Sequence, residues 1–478
     1  MDNKYIHPAV PINNFSKSIY GNKPVIHAYE HPDIVSVRVK DLFPDIPDAI
    51  YAHDGDDLSR VAQSTRESLK NVDMSKIKPT DSLNIVTCEH GYLMFGGLPY
   101  IEMIKTIIDE VEKRTGCVDI TVKVVMYRTP REGSEVIDWY RLHEVFQKVE
   151  GITSYEKGIP IETRLGTVWA LEKVFDADKF IFAYYDDPRE VYCSHYFRRI
   201  FKAFTMDTMR LETRVLYHYG FGFACGTGPV ANLLPTSVYD SDFIQSKWAF
   251  CSFMRTTPNG LSKIDSDNDM YSMDDRVMQD GCLWYPMMHQ LLVSPDNYCV
   301  IVDGERWPTY MHCAGIIAGV NACNYQDHYD IDEIFDYDEF LRRMAQGVAA
   351  PGLGYTIFNQ TWYGLTQSPP PYDKVVCVGD EQDYEFKYDS MNMFYNTNPT
   401  KIKVKDLYEA MDKVKEVQKT DSFIVYDGSY GYINCSRGMA EQLFKNAPKI
   451  ERRAKEELYP KYMKQRQLEI PDYMKALL

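Results

Sequence analysis

Three groups of side chains in this 478-residue chain have types and spacings that chemistry can use. The first is His195, Lys202 and His218. Histidine is the usual acid/base near neutral pH and a common metal ligand, and lysine serves as a base or a covalent tether. A racemase needs two acid/base groups, one for each face of a carbon, and two histidines flanking a lysine meet that need. The same stretch, Phe197-Arg-Arg-Ile-Phe-Lys-Ala-Phe204, reads equally as an amphipathic helix with a solvated lysine. The second group, Glu89, His90 and Tyr92, directly follows the apolar run Asn84–Cys88, and strand ends are where binding loops sit. Its plainer reading is a loop with a capping glutamate. The third group, Tyr127, Arg128 and Arg131, follows the run Ile120–Met126. Arginine there can grip a carboxylate or phosphate in a bidentate fork, or form a surface salt bridge.

Other candidates are weaker. Gly220-Phe-Gly-Phe-Ala-Cys-Gly-Thr-Gly228 is neither a dinucleotide fingerprint opening a helix nor a Walker loop, because no Gly-Lys-Ser/Thr occurs; it reads as a flexible loop. Asp186-Asp187 suits a hard metal or a helix cap. His289 and His312 lie among apolar residues and read as core or hinge histidines.

The elements that must hold these groups have an α/β rhythm. Val35–Val39 alternates as a strand and Asp57–Leu69 reads as a helix. Asn84–Cys88 is a short buried strand. Ile101, Ile104, Ile108 and Val111 then recur at helical spacing, with Lys113-Arg114 in the last turn and Gly116 as the stop. Ile120–Met126 is the next strand, which makes a βαβ unit of the kind that builds parallel sheets. Tyr140–Val149 reads as a helix. Gly158-Ile-Pro-Ile-Glu-Thr opens a helical run to Ala177-Asp178, and Lys179–Tyr185 is a strand. Tyr298–Val302, Val375–Val378 and Ser422–Tyr426 are further strands, Asp406–Val417 is a helix, and 439–478 is largely charged helix. The expected fold is two α/β domains, 1–325 and 326–478, with mostly parallel sheets flanked by helices and a cleft between them. A hinge is expected near 315–330.

Composition narrows the function. The length exceeds one ordinary core. A net charge of −16 repels phosphate backbones, so nucleic acid is not an expected partner. The basic stretch Lys449–Lys464 is interleaved with Glu451, Glu456 and Glu457, and reads as a solvated helix face. The 11 cysteines are scattered without a CxxC pair, as in a reducing cytoplasm. No signal-peptide core or membrane-length apolar run is present. The expected location is the cytoplasm and the expected partner is a small molecule, not a membrane.

The order of these pieces, roughly Ser82 to Gly431, resembles the lactate racemase family, the enzymes with a nickel-pincer cofactor. The closest local match is Gly158-Ile-Pro-Ile-Glu with Ala177-Asp178 and its strand. Glu89–Tyr92 falls at the family's Asp-x-x-Arg turn, and Asp119–Arg128 at its strand ending in Thr-His-Arg. His195 falls near the histidine ahead of the family's lysine loop. Asp303-Gly304 through His312 is similar to its Gly-Asp…Ala-His segment, and Met393-Phe-Tyr395-Asn396 to its Asn-Leu-Tyr-Gln motif. The resemblance implies a racemase or epimerase of a small 2-hydroxy acid, working by hydride removal and return. It implies a nickel-pincer nucleotide tethered at Lys202 with Glu89 and Tyr92 alongside, and His218 as a metal ligand. His195, His218, Tyr127 and His90 would be acid/base groups, and Arg128, Tyr395 and Asn396 would contact the substrate. The Gly-Phe-Ser-Gly-Gly-x-Lys loop is absent around Lys202, and Tyr127, Tyr92 and Pro399 stand where the family has histidine, arginine and lysine. These departures favour a second reading, a cofactor-free lyase or isomerase of a carboxylic acid. A third is a non-catalytic binding protein on the same scaffold.

Overall fold

The computed structural model describes residues 6–8, 31–53, 55–88, 91–92, 94–126, 132–186, 198–217, 232–292, 294–295, 297–302, 374–378, 400–426 and 430–478. Their strands are β1 (Ile6–Pro8), β2 (Ile34–Arg38), β3 (Ser82–Cys88), β4 (Asp119–Met126), β5 (Val149–Thr153), β6 (Gly158–Thr163), β7 (Gly166–Leu171), β8 (Lys179–Tyr185), β9 (Trp248–Thr257), β10 (Gly260–Asp267), β11 (Cys299–Val302), β12 (Lys374–Val378), β13 (Thr400–Val404), β14 (Phe423–Tyr426) and β15 (Tyr432–Ser436). The fold is α/β.

A six-stranded sheet has the order β10-β9-β8-β3-β4-β5 and is parallel throughout except for the edge pair β10–β9. Its central strands are buried on both faces, so their sequences are near-continuous apolar runs. The βαβ unit forms as its local signals dictate. The connecting helix Leu98–Thr115 has Pro99 in its first turn. It ends at Gly116, whose φ of 74° is left-handed and whose N–H bonds back to Glu112. The helix buries Ile101, Ile104, Ile107 and Val111, at about 1.5–3 kcal/mol for each fully buried side chain. The preceding helix Leu58–Leu69 is capped by Asp57, whose side chain accepts from the Ser59 N–H. It packs on the connecting helix and on β10.

A seven-stranded mixed sheet has the order β1-β2-β15-β14-β11-β12-β13. Strands β14, β11, β12 and β13 run parallel, and β1, β2 and β15 pair antiparallel. Its strands come from both sides of residue 325, which itself lies outside the described residues. Ile34, Cys299, Ile301, Val404, Phe423 and Val425 form its own small core with the helix Leu407–Gln418, apart from the main core.

Two expected elements differ from the reading above. The run 158–178 is not a helix. It is the antiparallel hairpin β6–β7, which turns at Gly166 with φ 111° and leads to a 3-10 turn at Glu172–Val174. Ile159 and Ile161, then Val168 and Ala170, alternate at strand period, and Gly166 takes a backbone that other residues rarely adopt. The stretch 140–149 holds only the short helix Leu142–Val145 before β5 begins at Val149. The helix Glu132–Trp139 is pressed so closely on β5 that a Cβ on Gly133 would sit 2.7 Å from the Gly151 Cα.

Candidate active site at the carboxyl edge of the six-stranded sheet

Parallel pairing aligns strand ends. Cys88 of β3 sits opposite Val125 of β4, Met126 opposite Thr153 of β5, and Tyr185 of β8 opposite Met254 of β9. Thr153, Met126, Cys88, Tyr185 and Thr257 thus finish along one edge, the place where open α/β sheets carry ligands. Glu89 and His90 follow Cys88 in sequence, Tyr127 and Arg128 follow Met126, and Asp187 follows Asp186 at the end of β8.

Most of the expected chemical residues lie outside the described residues: Glu89, His90, Tyr127, Arg128, Arg131, Asp187, His195, His218, Gly220–Gly228, His312, Tyr395 and Asn396. His289 belongs to the helix Met270–Leu292, with no side chain described. Lys202 closes the 3-10 turn Arg199–Lys202 and is half-buried. Its carbonyl accepts from Thr205 Oγ1 at 2.8 Å. The segment is packed more tightly than a solvated amphipathic helix would be, because Phe201 and Phe204 lie among Tyr239, Tyr271, Trp248 and Phe182. Tyr184 of β8 donates to Asp207 just beyond it, which ties the segment to the strand end.

Tyr92 is wholly buried. Its hydroxyl lies 3.1 Å from Thr87 Oγ1, and its ring meets Tyr100 edge-on. Burial pushes its phenol pKa well up, so it stays neutral. Tyr100 donates to the Ala183 carbonyl at 2.6 Å and accepts from the Cys88 N–H at 3.2 Å, which joins the ends of β3 and β8. Tyr92 and Tyr100 therefore shape the edge from beneath. Among the described residues no group of three or more His, Cys, Asp or Glu is placed to hold a metal. Among the described residues, Lys202 and Tyr92 do not compose a donor set for a nickel-pincer group.

The edge does carry a buried charge network, of which the sequence singles out only Asp186. Asp186, directly after β8, is 3 % exposed. Its Oδ2 accepts from the Thr256 N–H at 2.8 Å and its Oδ1 from Thr256 Oγ1 at 2.7 Å. Tyr285 of the helix Met270–Leu292 stands 2.7 Å from that same hydroxyl. Arg255 Nε lies 3.5 Å from Asp186 Oδ2, while its Nη1 and Nη2 bind Asp265 and Asp280 at 2.9 Å each. Arg276 pairs in turn with Asp265 and Asp267 at 2.9 and 2.7 Å. Desolvation pushes the Asp186 carboxyl up to about 6, although Arg255 and Thr256 pull it down. Burial acts on Asp280 too, but Arg255, Lys263 and the Tyr473 hydroxyl outweigh it and hold that carboxyl below its ordinary value. The available signal is an arginine, Arg255, directly after the largely apolar run Phe250–Met254, since a buried charge requires partners.

A second buried cluster lies away from the strand end. Asp274 Oδ2 accepts from Arg198 at 3.2 Å, and Asp275 takes the same guanidinium at 3.0 Å. The Arg198 guanidinium also lies 5.0 Å from the Tyr271 ring centre. Asp274 Oδ1 is buried and has no hydrogen-bond partner among the described residues. Desolvation pushes this carboxyl up to about 7 against the pull of Arg466 and Arg198.

No helix among the described residues is long and apolar enough to cross a membrane. The chain matches no protein-family model, and no curated protein matches it.

Proposed function

We propose that this protein is a racemase or epimerase of a small 2-hydroxy acid, a divergent relative of the lactate racemases, working in the cytoplasm at the carboxyl edge of the six-stranded sheet. The observation that carries the reading is the alignment of the ends of β3, β4 and β8 along one edge. In sequence, those three ends lead directly into Glu89-His90, Tyr127-Arg128 and the stretch toward His195. Arg128 pairs with the substrate carboxylate in a bidentate fork, and His195 and His218 serve the two faces of carbon 2. In this reading the chain has two α/β domains with the substrate in the cleft between them. Six described cysteines are free buried thiols, in keeping with a reducing compartment.

The test begins with protein purified from its native host and single enantiomers of short 2-hydroxy acids. Chiral chromatography should detect the opposite enantiomer. Intact mass and elemental analysis then decide the cofactor: covalent mass at Lys202 with about one nickel per chain would establish the pincer form, and Lys202→Ala would then lose both mass and turnover. Failure to invert any 2-hydroxy acid overturns the reading. Inversion that survives Lys202→Ala selects the cofactor-free enzyme, which the enclosure of Tyr92 and the missing lysine loop favour.

A further inference from the structure

The chain end is tied into the charge network at the sheet edge. After the helix Tyr459–Arg466 the chain reverses at Gln467, whose φ is 57°, and Leu468 N–H bonds back to the Met463 carbonyl at 2.9 Å. The returning segment lies along the helix Met270–Leu292. Gln279 Nε2 donates to the Glu469 carbonyl at 3.1 Å, Met474 is buried, and Leu477 packs on the main core. Tyr473 has an exposed ring, yet its hydroxyl points inward and donates to Asp280 Oδ1 at 2.6 Å. Burial and the Asp280 charge keep that phenol protonated, so it acts as the donor.

Asp280 is the joint of the arrangement. Its Oδ2 takes Arg255 at 2.9 Å and Lys263 at 3.0 Å, and its Oδ1 takes Tyr473. Arg255 has one guanidinium for three carboxylates and lies farthest from Asp186. We propose that residues 471–478 form a strap whose Tyr473 hydroxyl, through Asp280 and Arg255, sets the charge carried by Asp186 at the carboxyl edge of the sheet. The Tyr473 proton satisfies part of Asp280. With that proton in place, Asp280 repels Asp186 less and draws less on Arg255. Removing it strengthens both effects and favours the protonated form of Asp186. The charged groups facing this site are Arg255 of β9, Lys263 and Asp265 of β10, Asp280 and Arg276 of the long helix, and Tyr473 of the strap. The coupling does not depend on the isomerase reading.

The test uses the full chain carrying carboxyl-13C aspartate, followed by NMR across pH. Ordinary aspartates finish titrating by about pH 5, so a midpoint near 6 stands clear and is assigned by its loss in Asp186→Asn. Tyr473→Phe should raise that midpoint by about half a unit, about threefold in the acid constant. Asp280→Asn removes the competing charge and should lower it. Asp274, at about 7, lies outside the network and should not move. Either variant suffices if the other fails to fold. An Asp186 midpoint unchanged in a folded variant, or moved in the opposite direction, overturns the proposal.

Discussion

Two buried acids in this protein meet the same problem with different partners. Asp186 fills both oxygens from one threonine, through its N–H and its hydroxyl, and has Arg255 behind them. Asp274 shares an exposed-side arginine with Asp275 and leaves one buried oxygen without a hydrogen bond among the described residues. Desolvation acts first on both, yet it carries Asp186 only to about 6 and Asp274 to about 7. For Asp186 the Arg255 charge pulls hardest against desolvation, and the two Thr256 hydrogen bonds to the charged form add to it. The comparison also separates their uses. Asp186 sits where a strand ends at the proposed site, and its neighbours hold its carboxylate in place. Asp274 holds Arg198 through Oδ2, while its Oδ1 lacks a hydrogen bond among the described residues.

The strongest way to break the contrast is Arg255→Met. It would leave Asp186, Asp265 and Asp280 without their shared cation. We expect a loss of about 3–5 kcal/mol or no folded protein, because removing one partner leaves buried charges uncompensated. Urea unfolding within about 1 kcal/mol of wild type would contradict the network's structural role.

Asp274→Asn sharpens it. Because the folded-state value of Asp274 is raised, its contribution to stability is present below about pH 4 and lost as pH rises through about 7. The asparagine variant carries no such loss. Between pH 5 and pH 8 the variant should gain about 3 kcal/mol relative to wild type. A stability gap that does not change with pH would mean that Asp274 ionises normally. Asp186→Asn should show the same sign with roughly half the pH-dependent change, since its value is raised only to about 6. That change should be complete by about pH 7, and a change still growing at pH 8 would reverse the ranking of the two acids.

The smallest effect is expected at Lys263. Its side chain is 42 % exposed in its pair with Asp280, so solvent screens the charge. Lys263→Met should cost less than about 1 kcal/mol, and the difference should shrink further in 0.5 M salt. A larger, salt-insensitive loss would place Lys263 in the buried network with Arg255.

Much of the fold was legible because its signals are local. The helix Leu98–Thr115 carries its apolar stripe, its basic last turn and its glycine stop within one stretch, and β3 and β4 flank it as apolar runs. The hairpin β6–β7 is hard to see in the sequence because Pro160 and the charged residues around it mask a two-residue period, although Gly166 marks the turn. The long hairpin β9–β10 carries a readable local signal in its ten-residue strand and its Pro258-Asn259-Gly260 turn. Tyr92 reads in sequence as a strand-end ligand, yet it turns into the core because Thr87 and Tyr100 offer it a hydroxyl partner and an aromatic edge.

By itself the sequence determined the α/β rhythm, the parallel unit around β3 and β4, and the residues that leave its strand ends. These follow from side-chain period, caps and chain order, which act over a few residues. Tertiary structure alone decided that Arg255 meets Asp186, Asp265 and Asp280, and that Tyr473 returns to Asp280 across 193 positions of chain. It also decided which acids lose their water. Desolvation and pairing depend on what packs around a group from distant segments, and no local pattern encodes that.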